Sequence, residues 1–145
     1  MQIGEEESNG FEFDLAGEIT PNWNILASYA YIDARITKTA SNSEKDFDMQ
    51  RPSTPRHSGN IWTKYIITEG PLKHLGFGAG YNFVTERYGQ VGRRANTTVY
   101  PGYGLVNAVL YYKINQIQLQ LNLNNILNKT HWVGGYDKLR SFPGA

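Results

Sequence analysis

From Ile117 to Asn124 the chain reads I-Q-L-Q-L-N-L-N, a strict alternation of aliphatic and amide side chains. Successive side chains on a β-strand point to opposite faces, so Ile117, Leu119, Leu121 and Leu123 share one side, and Gln118, Gln120, Asn122 and Asn124 the other. The aliphatic side needs an apolar medium, and the amide side needs water or a dense hydrogen-bond network. Such a strand divides two phases. A soluble sandwich alternates in the same way but usually mixes charges into its wet face, whereas a membrane barrel has an aliphatic outer wall and a polar lumen.

Composition narrows the ways a membrane could be involved. No window offers the ~18 consecutive apolar residues of a spanning helix, and the mean hydropathy is −0.49. A membrane role must therefore come through a barrel, in which only alternate residues meet lipid. The 13% aromatic content, with 10 tyrosines, suits the interfacial girdles of such a wall. There are no cysteines, so neither disulfides nor thiolate metal sites hold the fold. Fourteen basic residues against 13 acidic ones, not gathered into a stripe, give no nucleic-acid footprint. The opening Glu5-Glu6-Glu7 segment is no signal peptide, so an exported protein with this sequence is expected to begin elsewhere.

Taken in order, the chain repeats the same device. Asn9 to Ile19 sets Phe11, Phe13, Leu15 and Ile19 against Glu12, Asp14 and Glu18. Thr20-Pro21-Asn22 is a turn, and the return strand carries Ile25, Ala27, Tyr29 and Tyr31 on the apolar side. A polar stretch between Thr39 and His57 reads as a long loop. In the next strand Ile61, Thr63 and Tyr65 alternate with Asn60, Trp62 and Lys64. Lys64 sets the facing, since a lysine at membrane depth costs about 2–4 kcal/mol on the lipid side and little in a wet lumen. Trp62 then points inward, against a plug or a loop.

After Glu69-Gly70-Pro71, Leu75, Phe77, Ala79, Tyr81 and Phe83 oppose Gly76, Gly78, Gly80, Asn82 and Glu86. Glycine at every second position weakens a strand unless something must approach that face closely. Tyr88 to Pro101 reads as a second long loop. Val106, Ala108, Leu110 and Tyr112 then face outward and Asn107 inward, before a turn at Asn115-Gln116. The connections alternate short and long, the last long one running from Asn128 to Phe142. Barrels of the bacterial outer membrane have short periplasmic turns and longer extracellular loops, so Ser43, Arg93 and Tyr136 are expected outside the cell. The fold class read here is all-β, an antiparallel meander forming part of a transmembrane barrel. Its expected lumen face is Asn60, Lys64, Asn82, Glu86, Asn107, Gln118, Gln120, Asn122 and Asn124. Its expected lipid face includes Phe11, Phe13, Tyr29, Tyr31, Tyr65, Phe77, Tyr81, Leu110, Tyr112, Leu119, Leu121 and Leu123.

Chemistry-bearing residues are sparse. His57, His74 and His131 lie far apart without metal-site spacing. Gly76-Phe77-Gly78-Ala79-Gly80 lacks both the dinucleotide spacing and a following helix. No serine, histidine and carboxylate suggest a nucleophile and its base, so no enzyme is read here and no cofactor is called for. Arg93 and Arg94 suit an oxyanion, either a lipopolysaccharide phosphate or an anionic iron chelate. The bland alternative for them is a solvated loop.

Several segments resemble one family, in its order. Leu121-Asn122-Leu123-Asn124-Asn125-Ile126-Leu127-Asn128-Lys129 resembles the "N-N-L-hydrophobic-D/N-K" end of the penultimate strand of TonB-dependent outer-membrane receptors. Gly10 to Leu15 is similar to its "G-hydrophobic-E" strand, and Trp23 to Arg35 to its "W-x-hydrophobic-x-x-S-Y-x-Y-x-D-A-R" strand. Arg51-Pro52-Ser53-Thr54-Pro55-Arg56-His57 resembles its "P-x-x-P-x-H" descent into the barrel, and Pro101-Gly102-Tyr103 its "P-G-Y" strand start. The pattern is most similar to the siderophore-receptor branch. The resemblance implies that residues 1–145 are the C-terminal part of a barrel of about 22 strands, with the plug domain and the final strand absent and that strand expected to begin near Phe142. It implies ferric siderophore as transported substrate, with Arg93, Arg94 and Trp132 as ligand-binding candidates. It also implies TonB as a partner acting through an N-terminal plug, lipopolysaccharide and outer-membrane lipid around the wall, and a bacterial outer-membrane location. His57 is expected to help the loop enter the rim. The alternatives are a passive porin and a small soluble lipid-binding barrel with reversed facing.

Overall fold

The computed structural model describes residues 4–39, 49–89, 98–135 and 141–144. Six long strands make one open sheet: β1 (Gly4–Thr20), β2 (Trp23–Thr39), β4 (His57–Ile66), β5 (Leu75–Val84), β8 (Tyr103–Ile114) and β9 (Ile117–Leu123). They pair in chain order, every neighbour antiparallel. The short β3 (Met49–Gln50) extends the sheet beside β2, at Arg35↔Gln50 and Ile36↔Met49. Two further pairs stand apart as small sheets: β6 (Arg87–Tyr88) with β7 (Val99–Tyr100), and β10 (Trp132–Gly135) with β11 (Ser141–Pro143). No helix occurs among the described residues. The sheet is a meander that does not close, since β1 and β9 end its path.

The turns follow from their residues. Ile114↔Ile117 leaves a two-residue loop in which Asn115 takes φ 52°, a left-handed conformation that asparagine tolerates. At the Pro21-Asn22 turn the Thr20 hydroxyl donates to Asn22 Oδ1 at 2.7 Å, and the Asn22 amide donates to the Ile66 carbonyl at 3.1 Å, tying the turn to β4. The connection 67–74 is also tight, with Gly70 and His74 at positive φ and the His74 N–H bonded to the Ile67 carbonyl at 2.9 Å. All three short connections lie at one end of the sheet. The strand ends that the long connections join lie at the other, and Ser43, Arg93 and Tyr136 fall outside the described residues.

Three boundaries differ from the sequence reading. β1 begins at Gly4 rather than Asn9, because Glu5, Glu6 and Glu7 pair with Lys38, Ile36 and Arg35 across a bulge. The stretches read as plain loops contain β3, the β6–β7 pair and the β10–β11 pair. Pieces of two to four residues show no period, so nothing local announces them.

Register assigns the faces. Phe11, Tyr31 and His57 line up across β1, β2 and β4, as do Trp23, Tyr65, Phe77, Leu110 and Leu121 from β2 to β9. On the opposite face run Ser28, Asn60 and Asn82, then Trp62, Gly80 and Asn107. The glycines of β5 are where large rings lie flat. A Cβ at Gly80 would run into Trp62, one at Gly76 into Tyr111, and one at Gly78 would crowd the Thr63 carbonyl and Val109, with Trp62 next. What approaches the glycine face is thus this chain's own Trp62 and Tyr111. Trp62 lies on β5 beside it.

Very little is buried. Ala34, Tyr100 and Val109 are the buried apolar side chains among the described residues, while Leu119 and Leu121 stay 58% and 55% exposed. A sheet that exposes its leucines is a wall, with its apolar medium supplied from outside.

Candidate functional site

Two surfaces carry polar side chains close enough to act together: the amide face of the sheet and the rim at the strand ends that the long connections join. On the amide face, Asn60 Nδ2 donates to Ser28 Oγ at 2.6 Å and Asn107 Nδ2 to Asn82 Oδ1 at 3.3 Å. Asn107 Oδ1 in turn accepts the Asn125 N–H at 2.8 Å, and Gln120 donates to Asn122 at 2.8 Å. The result is a transverse, mostly neutral belt. Lys64 stands below it, its ammonium 4.8 Å from the centre of the Tyr111 ring.

Asn60, Lys64, Asn82, Asn107, Gln118, Gln120 and Asn122 share this face by register. Asn124 lies one position past the end of β9, and Glu86 lies in the bend between β5 and β6, beyond the alternation that would assign it a face. Phe11, Phe13, Tyr29, Tyr31, Tyr65, Phe77, Tyr81, Leu110, Tyr112, Leu119, Leu121 and Leu123 share the other face. Arg93 and Arg94 lie outside the described residues.

At the rim, Arg87 is 4% exposed and His131 7%. The Arg87 guanidinium donates to the Trp132 carbonyl and lies 5.3 Å from the centre of the Tyr103 ring, while the His131 ring packs tilted against Tyr103, ring centres 4.4 Å apart. Arg87 Nε has no partner among the described residues. Trp132, one of the ligand candidates, thus serves this cluster through its backbone, and the residue stays 37% exposed. The cluster fastens the segment after β9 to the β6–β7 pair. Sequence reading missed it, because Arg87, Tyr103 and His131 are brought together only by the topology.

The Asn125–Lys129 segment shows why its asparagines are there. Asn125 and Asn128 take φ 49° and 48°. The Asn125 amide also clamps Lys129, accepting its N–H at 2.9 Å and donating to its carbonyl at 3.1 Å.

A second rim group sits on the leucine face. Tyr29 OH and His57 Nδ1 share a 2.7 Å hydrogen bond, with Tyr31 and Phe11 packed alongside. The backbone of His57 bonds to Thr85, so this residue locks the start of β4 to the end of β5. One step further out, Arg35 Nε bonds Asp33 at 3.1 Å and Arg56 approaches the same carboxylate at 3.7 Å. The hydrogen bond from Arg35 holds the Asp33 carboxyl below its ordinary 3.8, helped by the charges of Arg35 and Arg56 and opposed by desolvation. The two-residue spacing of Asp33 and Arg35 placed them on one face, a signal present in the sequence.

Comparison with known proteins extends this geometry. The chain is 36% identical over 143 residues to the probable TonB-dependent siderophore receptor PiuA of Acinetobacter baumannii, covering 92% of this chain and 18% of that protein. It is 31% identical to the catecholate siderophore receptor Fiu of Escherichia coli, over 99% of this chain and 19% of that one, and 31% identical to the ferrioxamine B receptor of Salmonella typhimurium, over 89% and 18%. The crystal structure of PiuA superposes with a TM-score of 0.78 at 35% identity, over 97% of this chain and 20% of that one. The structure of Fiu superposes with a TM-score of 0.79 at 26% identity, over 99% and 20%. The chain thus spans about a fifth of the length of these relatives. A family model for the TonB dependent receptor-like β-barrel matches residues 1–126. With six antiparallel strands in order and most of its length matched, the chain belongs to the TonB-dependent receptor β-barrel family.

Proposed function

We infer that residues 1–145 form a section of barrel wall in an outer-membrane receptor that takes up ferric siderophores. The observation that carries this reading is the two-faced sheet: leucines and aromatic rings exposed on one side, an amide belt on the other, in a chain whose relatives are named siderophore receptors. The leucine face meets lipid. Between the Trp23–Tyr65 level and the Tyr31–His57 level, β2 runs for roughly the 9–11 residues that a tilted strand needs to cross, with aromatic rings at both levels as in interfacial girdles. The amide face lines the lumen.

In this reading uptake is active. The ferric chelate binds at the loop-bearing rim, with Trp132 as a candidate contact there and Arg93 and Arg94, outside the described residues, as further candidates, and TonB acts on a plug domain encoded outside residues 1–145 to open the lumen. The wall supplies containment and a neutral polar lining, and no catalytic step is involved. A passive porin would need neither plug nor TonB. The relatives' names span a catecholate receptor and a ferrioxamine B receptor at equal identity, so wall similarity does not select the chelate.

The test is uptake by iron-starved cells that carry the full-length gene, using radiolabelled iron presented as a catecholate, a hydroxamate or a citrate complex. Saturable uptake of one complex, lost without TonB, is expected. Uptake unchanged without TonB identifies a passive pore and overturns the reading.

A further inference from the structure

Arg87 on β6 and His131 after β9 are the buried polar side chains among the described residues, and both pack on the ring of Tyr103 from β8. Together they close the segment 129–132 onto the wall. The Arg87 guanidinium donates to the Trp132 carbonyl, and the Gly144 N–H donates to the His131 carbonyl at 3.0 Å. Nothing acidic balances the cluster. Among the described residues no carboxylate meets Arg87, whose Nε also lacks a partner, and Glu86 beside it in the chain is exposed.

The contacts of His131 suit a neutral ring. The Lys129 carbonyl can only accept, so Nδ1 carries the proton that faces it at 3.3 Å. Nε2 takes the second proton. It points at the Gly144 backbone, where a Cβ would run into it, and has no hydrogen-bond partner among the described residues. The groups facing the ring are Arg87 from β6, Tyr103 from β8 and Lys129 from its own segment, while Gly144 brings only backbone. A proton at Nε2 therefore creates a second buried cation beside a ring that already carries one, with no carboxylate to offset either.

We propose that His131 and Arg87 form an acid-released latch at the rim. With His131 neutral, the segment 129–132 is held against β6 and β8; with His131 protonated, the two cations drive it off Tyr103. Imidazole is the side chain that ordinarily changes charge between about pH 5 and 8, so mild acidification opens the latch. Opening frees the Trp132 carbonyl and uncovers the guanidinium and the imidazolium at the rim. The latch depends neither on which solute the protein carries nor on which face of the sheet meets lipid.

The test is hydrogen exchange read by mass spectrometry on the full-length receptor in lipid vesicles, at about pH 7.5 and about pH 5.5. Labelling times are scaled for the intrinsic pH dependence of exchange. Protection of the 129–135 amides should fall several-fold at the lower pH, while the 117–123 amides of β9 keep theirs. His131→Gln should abolish this step. Arg87→Gln keeps an amide donor for the Trp132 carbonyl but removes the charge, so it should shrink the step, and it decides the matter if His131→Gln is unprotected at both pH values. Equal protection of 129–135 at the two pH values in the unsubstituted receptor overturns the latch, as does a step of full size in either variant.

Discussion

Gly80 is the residue at which the packing of this wall is most exposed to test. Its missing side chain makes room for the Trp62 ring from the neighbouring strand, and no rotamer of a residue with a Cβ leaves that ring where it is. Gly80→Ala should therefore destabilise the full-length barrel by about 1–3 kcal/mol, and should cost clearly less in a Trp62→Ala background, measured by urea unfolding from lipid vesicles. Equal costs in both backgrounds would show that the contact is not what Gly80 serves. The sequence announced that something must lie close to these glycines. It did not say what, because the partner is named only by the β4–β5 register.

Asp33 gives a prediction in pH. Its folded value is depressed, so its contribution is fully present above the ordinary carboxylate value of 3.8 and is lost as pH falls through the lower folded value. Below that range the outer end of β2 should exchange its amide protons faster, and Asp33→Asn should remove this acid dependence. An unchanged acid dependence in Asp33→Asn would mean that the Arg35–Asp33–Arg56 group does not order the strand end.

At the scale of the element, β9 is the strand most legible from sequence, because its alternation is free of exceptions, whereas its neighbour β8 sets Leu105 and Val109 on the amide face. Leu121→Arg in the full-length protein should destabilise the barrel by about 2–4 kcal/mol, whereas Asn122→Arg should be much milder. Unfolding from vesicles compares the two, and the reverse order would turn the strand around. The short paired elements were not legible, for a physical reason. β6–β7 and β10–β11 hold their place through contacts made at a distance, above all Arg87 to the Trp132 carbonyl and the His131 ring on Tyr103. Local pattern carries none of that.

For the whole molecule, the decisive property is that β1 and β9 each pair on one side only. Long apolar edges template further pairing, so residues 1–145 expressed alone should associate or require detergent. A monodisperse, cooperatively unfolding soluble monomer in size-exclusion and denaturation measurements would contradict this. The alternation of short and long connections was readable from proline, glycine and asparagine positions, and the antiparallel order in the sheet sends the two kinds to opposite ends. Which strands of the complete barrel flank β1 and β9 was never encoded in this stretch.

The central claim is that the leucine face of the sheet meets lipid and the amide face does not. The direct measurement places a fluorescent label at each position from Gln118 to Leu123 in turn, in the full-length protein folded into vesicles, and quenches it from the bilayer phase. Strong quenching at 119, 121 and 123 with weak quenching at 118, 120 and 122 is the predicted result. Because register moves all side chains of a strand together, the opposite phase, or quenching without a two-residue period, would contradict the account of the whole wall.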